Sequence, residues 1–216
     1  MITTRPRRRI AAAVLSVSAV LATTAATAPT TSAATTSAAT TGAAAGRTAF
    51  ARAAAAPACP QFADKVKAAA DRRVDVDRIT PDPAWRTTCG TLWRNDNRAP
   101  ATIFQEGFFP RDVLDGQYDI EKYVLVNQPS PYVSTTYDHD LYKTWKSAYN
   151  YYIDAPGGVD VNKTIGDTHK WADQVEVAFP GGIARQYVVG ACPVDKATKT
   201  EILSRCESNP NYEPWH

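Results

Sequence analysis

The sequence predicts an α+β fold with a mostly antiparallel β core. Predicted strands outnumber predicted helices, and the helices precede or interrupt the strands instead of alternating with them. The segments 174–179 and 183–192 flank the turn Pro180-Gly181-Gly182 and form the clearest predicted hairpin. Because a hairpin joins antiparallel neighbours, these observations favour a sheet built from antiparallel strands.

The first 56 residues have the composition of a leader. Arg5-Pro6-Arg7-Arg8-Arg9 precedes an apolar run of 13 residues at 10–22, whereas a helix that crosses a bilayer needs about 20. Residues 1–33 are therefore predicted to be a secretory signal peptide, which implies a secreted protein without a membrane anchor. Residues 34–56 are mostly Ala and Thr, and they are predicted to be disordered because they have little to bury.

The remaining segment, 57–216, is long enough for one domain with its own core. The six basic residues before it leave 18 basic and 22 acidic residues in the domain, a formal net charge of −4. A mildly acidic domain does not bind nucleic acid through a broad phosphate-binding surface. Any contact with a nucleobase is expected to be local, and the domain is expected to act as a monomer.

The predicted elements of the first half are one helix and one strand. A helix is predicted over 61–73, where apolar residues recur at helical spacing. A short strand is predicted over 91–94 and a turn over 95–97, where Asn and Asp follow one another. Residues 100–109 form a compact segment rich in aromatic side chains.

The second half is predicted to contain more strand. β-Branched and aromatic residues predict strands at 122–127 and 132–136. Asp138 is predicted to cap a helix that continues through Trp145 to Tyr152, whose apolar residues lie near a 3.6-residue spacing. A polar loop over 163–173 leads into the predicted hairpin.

Four cysteines lie within the predicted domain: Cys59, Cys89, Cys192 and Cys206. An even number of cysteines in an exported chain predicts two disulfides. Of the three possible pairings we favour Cys59–Cys89 with Cys192–Cys206, because each pair then closes one local loop. No metal site is expected, because no two cysteines have C-x-x-C spacing and the chain has three histidines.

Three short motifs follow one another in the chain: Arg94, then Ser134-Thr135-Thr136, then Gln174-Val175-Glu176. Successive side chains of a strand face opposite ways, so a strand over 174–179 places Gln174 and Glu176 on one face. An amide beside a carboxylate can hold a target group next to a reacting group. The alternative is an edge strand whose polar face is simply solvated.

In this order, the motifs resemble the R–S-T-S–Q-x-E signature of mono-ADP-ribosyltransferases. Within that superfamily the chain resembles the pierisin-like branch, whose members modify DNA and guanine and include secreted Streptomyces enzymes. The resemblance covers about 57–206, and besides the three motifs it includes Asn127, Trp145 and Trp171. Thr136 replaces the second serine of the motif but keeps its hydroxyl. The resemblance implies a β core of two sheets with flanking helices, and NAD as co-substrate.

The chemistry of NAD explains the single carboxylate. In NAD, nicotinamide is bound as a cationic pyridinium and departs as a neutral molecule, so its departure needs no general acid. Hydrolysis by a glycosidase, in contrast, needs two opposed carboxyl groups. One carboxylate, Glu176, is expected to stabilise the ribose cation through a ribose hydroxyl. The resemblance assigns Arg94 to the NAD phosphate or ribose, and Ser134, Thr135, Thr136 and Asn127 to the NAD pocket. Without it, Arg94 would be a salt-bridge partner of Asp96, the threonines ordinary strand residues and Asn127 a turn residue.

Gln174 is expected to select the acceptor. The Watson–Crick edge of guanine offers an acceptor beside a donor, and an amide matches both. Clostridial exoenzymes that modify Rho also carry Q-x-E, so a protein acceptor stays open. Trp171, on the polar loop, is predicted to stack a base, whereas Trp145 is either a core residue or a second cleft residue.

The sequence therefore predicts a secreted enzyme that transfers ADP-ribose from NAD to the exocyclic amine of guanine. The acceptor is a nucleoside, a nucleotide or DNA, and slow NAD hydrolysis is expected as a side activity. One alternative is ADP-ribosylation of a protein side chain. The other is a secreted binding module without catalytic activity.

Overall fold

Residues 59–216 are the part of the chain that this computed structural model describes, and eight strands and three short α-helices carry the fold there. The predicted signal peptide (1–33) and Ala/Thr-rich segment (34–56) lie outside the described residues. The strands are β1 (Leu92–Asp96), β2 (Tyr132–Thr136), β3 (Tyr149–Ile153), β4 (Val159–Asp160), β5 (Glu176–Pro180), β6 (Val188–Asp195), β7 (Thr200–Glu201) and β8 (Glu207–Ser208). The α-helices are α1 (Pro100–Glu106), α2 (Ile120–Val126) and α3 (Val161–Ile165).

Five 3-10 helices connect these elements: Val76–Arg78, His139–Lys143, Ala172–Gln174, Arg185–Tyr187 and Leu203–Arg205. Within 59–216, none of the helices combines the length and the apolar character that crossing a bilayer requires.

The strands form one hydrogen-bonded order, β4-β5-β2-β1-β3-β6-β7, with β8 also paired to β6. Each of these neighbouring pairs is antiparallel, so the predicted α+β fold with a mostly antiparallel core is confirmed. Between β1 and β2, in this described part, the register contains only the pair Trp93–Thr136. The two sheets expected from the resemblance are therefore two halves of one sheet that part beside this single pair.

β5 lies between two hydrophobic clusters, and its alternating side chains serve both. Val177 and Phe179 belong to the cluster that contains Leu92 and Tyr151. Ala178 belongs to the cluster that includes residues of α2 and α3. Because side chains two apart in a strand share a face, Glu176 lies on the same face as Ala178, toward α2.

The helix predicted over 61–73 is wrong, because the structure has turns there. Beyond one turn, in which the N–H of Ala69 donates to the carbonyl of Val66, the backbone of this segment bonds to distant parts of the chain. The N–H of Asp71 donates to the carbonyl of Gly181, and the N–H of Ala184 donates to the carbonyl of Ala68. These tertiary hydrogen bonds replace the helical ones.

The strand predicted over 122–127 is also wrong, because this segment belongs to α2. Asp119 caps the helix, and its carboxylate accepts the N–H of Lys122 at 3.0 Å. Asn127 ends the helix in the left-handed conformation, with φ of 51°. The buried residues have the spacing of a helix face, and they are Ile120, Tyr123 and Val124.

The helix predicted after Asp138 is much shorter than expected. Asp138 does act as a cap, since its carboxylate accepts the N–H of Asp140 at 2.8 Å. The capped element is the 3-10 helix His139–Lys143, and the residues from Tyr149 to Tyr152 belong to β3 instead. β3 pairs with β1 on one side and β6 on the other, so two neighbouring strands satisfy its backbone and override the helical spacing.

The predicted hairpin is wrong because β5 and β6 are not neighbours. β5 pairs with β2 and β4, whereas β6 pairs with β3. Gly181 and Gly182 both have positive φ, a conformation that glycine adopts without steric cost. The chain then forms an isolated bridge between Ile183 and Phe108, which leads it away from β5. The predicted turn 95–97 also differs, because β1 continues through Asn95 and Asp96.

The structure contains the two favoured disulfides. Cys59–Cys89 joins residues 30 apart in the sequence, and Cys192–Cys206 joins residues 14 apart. The first attaches the segment that precedes the sheet to the residues just before β1. The second joins β6 to the chain just before β8.

Replacing both cysteines of one bridge is expected to lower the free energy of unfolding. The pair Cys192→Ser and Cys206→Ser should lower it by about 3 kcal/mol, because the denatured chain regains the entropy of an open loop. The pair Cys59→Ser and Cys89→Ser opens a loop about twice as long and should cost about 0.6 kcal/mol more. Urea denaturation of both double variants measures the two values. An unchanged midpoint in either variant would contradict this expectation.

Candidate active site

A cleft of about 360 Å³ opens where the two halves of the sheet diverge. It brings together all nine residues that the sequence predicts for catalysis and binding: Arg94, Asn127, Ser134, Thr135, Thr136, Trp145, Trp171, Gln174 and Glu176. Its volume is in the range of small-molecule sites in proteins. Seven further residues of β1, α2 and the 3-10 helix after Asp138 line it without having been predicted: Trp93, Asn95, Tyr123, Val124, Leu125, Val126 and Leu141.

Glu176 is the first residue of β5 and is buried, with 7% of its surface exposed. Its Oε1 accepts a hydrogen bond from the hydroxyl of Tyr123 at 2.8 Å. Burial raises the pKa of the Glu176 carboxyl, while the hydroxyls of Tyr123 and Ser134 and the charge of Arg94 act in the opposite direction. The ionised carboxylate is therefore lost, as pH falls, at a higher pH than for an exposed glutamate.

Among the cleft residues that were not predicted, Tyr123 is the one that donates a hydrogen bond to the carboxylate of Glu176. It lies on α2, and burial together with the neighbouring Glu176 raises the pKa of its hydroxyl well above the ordinary value. The signal was present, because Asp119 caps a helix in which Tyr123 and Asn127 are one turn apart. Interpreting this segment as a strand concealed that relation.

Arg94 joins the two halves of the sheet. From β1, its Nη1 donates to the carbonyl of Ser134 on β2 at 2.7 Å, and its Nη2 lies 3.2 Å from Oδ2 of Asp96. The salt bridge to Asp96 and the position in the cleft are thus both present. Its Nε is buried and has no hydrogen-bond partner among the described residues. This free donor suits an anionic ligand such as a phosphate.

Asp96 holds two arginines at once. Its carboxylate binds Arg94 and, at 2.7 Å, Nη2 of Arg98. Burial would raise the pKa of Asp96, but hydrogen bonds from Arg98 and the charge of Arg94 lower it to about 2. Asp96 is therefore ionised at all ordinary pH values, and it fixes the direction of the Arg94 side chain.

The three hydroxyl residues of β2 have different contacts. Ser134 lies across the strand pair from Ala178 and lines the cleft. The hydroxyl of Thr135 donates to the carbonyl of Val177 at 2.9 Å. The hydroxyl of Thr136 donates to the carbonyl of Gln174 at 2.7 Å and accepts the N–H of Asp138 at 2.8 Å. The hydroxyl that threonine keeps at this position thus holds the backbone of Gln174 in place.

Gln174 does not lie in a strand, so the predicted shared strand face is wrong. It is the last residue of the 3-10 helix Ala172–Gln174, and Val175 follows in the left-handed conformation with φ of 40°. Few β-branched residues adopt positive φ. This turn, held by the bond from Thr136, places both Gln174 and Glu176 at the cleft although one strand face does not join them.

Two exposed tryptophans flank the cleft. Trp171 is 44% exposed and Trp145 is 52% exposed, so the core alternative for Trp145 is wrong. The backbone nitrogen of Trp171 lies 3.4 Å from Nδ1 of His169. Nε2 of His169 lies 3.0 Å from the amide oxygen of Asn162 on α3. Both indole rings are therefore available to a planar ligand, and α3 supports the loop that carries Trp171.

Asn127 combines the two interpretations that the sequence left open. It is the left-handed residue that ends α2, and it also lines the cleft. Its Oδ1 accepts a hydrogen bond from Nη2 of Arg111 at 2.8 Å, which leaves its amide N–H groups for a ligand. Within 59–216, no group of three or more His, Cys, Asp or Glu side chains is arranged to hold a metal ion.

The family model described as Scabin-like matches residues 92–212, which include the whole cleft. The chain belongs to the Scabin-like family. This membership and the relatives below confirm the resemblance to pierisin-like ADP-ribosyltransferases.

Two curated relatives agree with this membership. A guanine-specific ADP-ribosyl transferase of Streptomyces coelicolor is 73% identical over 217 residues, which cover all of both chains. Pierisin of Pieris brassicae is 38% identical over 134 residues, which cover 56% of this chain and 15% of that protein.

Two solved structures share the fold. The Scabin toxin from Streptomyces scabies in complex with NADH is 78% identical, with a TM-score of 0.74 over 76% of this chain and 99% of that one. A guanine-specific ADP-ribosyltransferase is also 78% identical, with a TM-score of 0.73 over 74% of this chain and all of that one.

Proposed function

We propose that this protein is a mono-ADP-ribosyltransferase that transfers ADP-ribose from NAD to the exocyclic amine of guanine. The observation that carries the proposal is one cleft in which a single buried carboxylate, Glu176, lies two residues from the amide of Gln174. The relatives described as guanine-specific, and the Scabin structure that contains NADH, support the same substrates.

NAD supplies the ribose carbon to which the acceptor becomes attached. We assign Arg94 to its phosphate or adjoining ribose, because the buried Nε is a donor without a partner. Asn127 presents free amide donors at the same cleft. These residues fit NAD through charge and hydrogen bonding, and no second carboxyl group is needed because nicotinamide leaves as a neutral molecule.

Glu176 stabilises the positive charge that develops on the ribose when its bond to nicotinamide breaks. A charged group that is already oriented and partly desolvated is worth more than the same group in water. Tyr123 engages Oε1, and we assign the other oxygen, Oε2, to a ribose hydroxyl. The bonding electrons leave with nicotinamide, the amine nitrogen of guanine forms the new bond to the ribose carbon, and one proton is released.

Gln174 and Trp171 select the acceptor. The amide of Gln174 offers both a donor and an acceptor to the edge of guanine, and the exposed ring of Trp171 stacks a base for about 1–3 kcal/mol. Because the exocyclic amine must reach the ribose, a single-stranded or frayed site in DNA should react better than an intact duplex. Water in place of guanine gives slow NAD hydrolysis.

We further propose that the domain is exported and acts as a monomer, and the N-terminal composition supports the export. A basic segment, a short apolar run and small residues precede 57–216, and two disulfides are typical of an oxidising compartment. Mass spectrometry of the protein from culture medium would read the position of cleavage.

Product analysis tests the reaction. The secreted protein is incubated with NAD and, in separate reactions, with guanosine, a guanine nucleotide, single-stranded and duplex oligonucleotides, and cell extract. Mass spectrometry should find ADP-ribose on the guanine amine, with more product from single strands than from duplex. An adduct on a protein side chain and none on guanine would support the protein acceptor, and no turnover of NAD would support the binding module.

A further inference from the structure

Tyr123 is a buried titratable residue whose hydroxyl meets the carboxylate of the site. Its side chain belongs to α2, it is 9% exposed, and its hydroxyl donates to Oε1 of Glu176 at 2.8 Å. α2 is not part of the sheet, whereas Glu176 is the first residue of the strand β5. The hydrogen bond therefore joins a helix that covers the sheet to the residue on which the chemistry depends.

The position of this hydroxyl is fixed by packing. Ile120 and Val124, on either side of Tyr123 in α2, are buried in the same hydrophobic cluster. The ring of Tyr123 packs against the ring of Tyr132 on β2, with centroids 4.9 Å apart. A phenol held on both sides has little freedom, so its hydroxyl sets the orientation of the carboxylate that it binds.

The hydroxyl acts as a hydrogen-bond donor at every ordinary pH. Burial and the adjacent Glu176 raise its pKa well above the ordinary value for tyrosine, so it does not take part as a base. The hydroxyl stabilises the ionised form of Glu176, because a hydrogen bond donated to a carboxylate favours that form.

We propose that Tyr123 is a positioning residue that orients the Glu176 carboxylate, holding Oε1 so that Oε2 faces the ribose. The proposal rests on the proposed function, because it requires that Glu176 act in its ionised form on NAD.

The variant Tyr123→Phe tests this role, because it keeps the ring and removes the hydroxyl. The rates of NAD hydrolysis and of transfer to guanosine should both fall by about 10-fold, with the KM for NAD little changed. The hydrogen bond lowers the pKa of Glu176, so its loss lets burial raise that pKa further. The acid limb of the pH–rate profile should therefore move to higher pH.

Tyr132→Phe is the matched control. Tyr132 is also a buried tyrosine, and its hydroxyl donates to the carbonyl of Tyr118 at 2.6 Å. This variant removes a buried hydroxyl next to Tyr123 without touching Glu176, and its acid limb should stay where it is in the unmodified protein. An unmoved limb in Tyr123→Phe, or an equal movement in Tyr132→Phe, overturns the proposal.

A second substitution covers the case in which Tyr123→Phe does not fold. 3-Fluorotyrosine at position 123 keeps the ring and the hydroxyl and donates a stronger hydrogen bond, so the acid limb should move to lower pH. No movement overturns the proposal. Absence of NAD turnover in the unmodified protein is a different result, and it would overturn the proposed function itself.

Discussion

The variant Glu176→Gln is expected to lose ADP-ribose transfer and NAD hydrolysis together, each by roughly 10²–10³-fold. Glutamine has nearly the same size as glutamate, and its Oε1 can still accept the hydroxyl of Tyr123. It lacks the negative charge that stabilises the ribose, and both reactions need that charge. Release of nicotinamide, followed by chromatography with and without guanosine, measures both rates.

Asp173→Asn is the matched control for this variant. Asp173 is an exposed carboxylate three residues before Glu176, and it does not line the cleft. Removing its charge should leave both rates close to those of the unmodified protein. If Glu176→Gln retained most of its NAD turnover, or if Asp173→Asn lost as much, the assignment of Glu176 would be wrong.

The variant Glu176→Gln should be more stable than the unmodified protein at neutral pH. Burial raises the pKa of Glu176 in the folded protein above the ordinary value of 4.5, so the folded state binds a proton more tightly than the unfolded state. The free energy of unfolding therefore falls as pH rises from about the unfolded value through the folded one. Glu176→Gln lacks this loss, and urea denaturation below and above that interval should show a smaller decrease for the variant.

The variant Gln174→Ala is expected to separate the two reactions. Transfer to guanosine should fall by about 100-fold, because two hydrogen bonds to the base edge are lost. NAD hydrolysis should persist, since Tyr123 and burial, not Gln174, hold the Glu176 carboxylate. The ratio of guanine adduct to free ADP-ribose, determined by mass spectrometry, reports the separation.

Two comparisons sharpen the result. Gln174→Glu keeps the length of the side chain but replaces its donor with a second acceptor, so transfer to guanine should fall as well. Gln186→Ala changes a glutamine of the 3-10 helix Arg185–Tyr187 and should affect neither reaction. Equal losses of transfer and hydrolysis in Gln174→Ala would mean that Gln174 shapes the NAD site instead of selecting the acceptor.

The sequence predicted the site better than it predicted several elements. The polar residues of the three motifs carry chemistry that few other residue types supply, and all of these polar residues line one cleft. Short segments are ambiguous by periodicity alone, and 122–127 is the example. Val124 and Val126 favour a strand by propensity, but the cap at Asp119 and the left-handed Asn127 define a helix. Tyr123 was missed for this reason.

Long-range pairing explains most of the remaining differences. Nothing local in 61–73 reveals that its backbone bonds to residues near 181–184. The turn at Gly181-Gly182 has the residues of a hairpin, but the strand that follows pairs with β3. Contacts between residues far apart in sequence decide both cases, and local propensity does not report them.

The contact between Arg94 and Ser134 has a mechanical consequence. Next to the single strand pair that joins β1 and β2, this guanidinium bonds one half of the sheet to the other while its Nη2 binds Asp96. A lysine there would keep the positive charge, but a single ammonium lacks the rigid fork that makes both contacts at these angles. Arg94 thus bonds the two halves of the sheet to each other as well as lining the ligand site. A ligand that binds Arg94 therefore contacts a side chain that also holds β1 and β2 together.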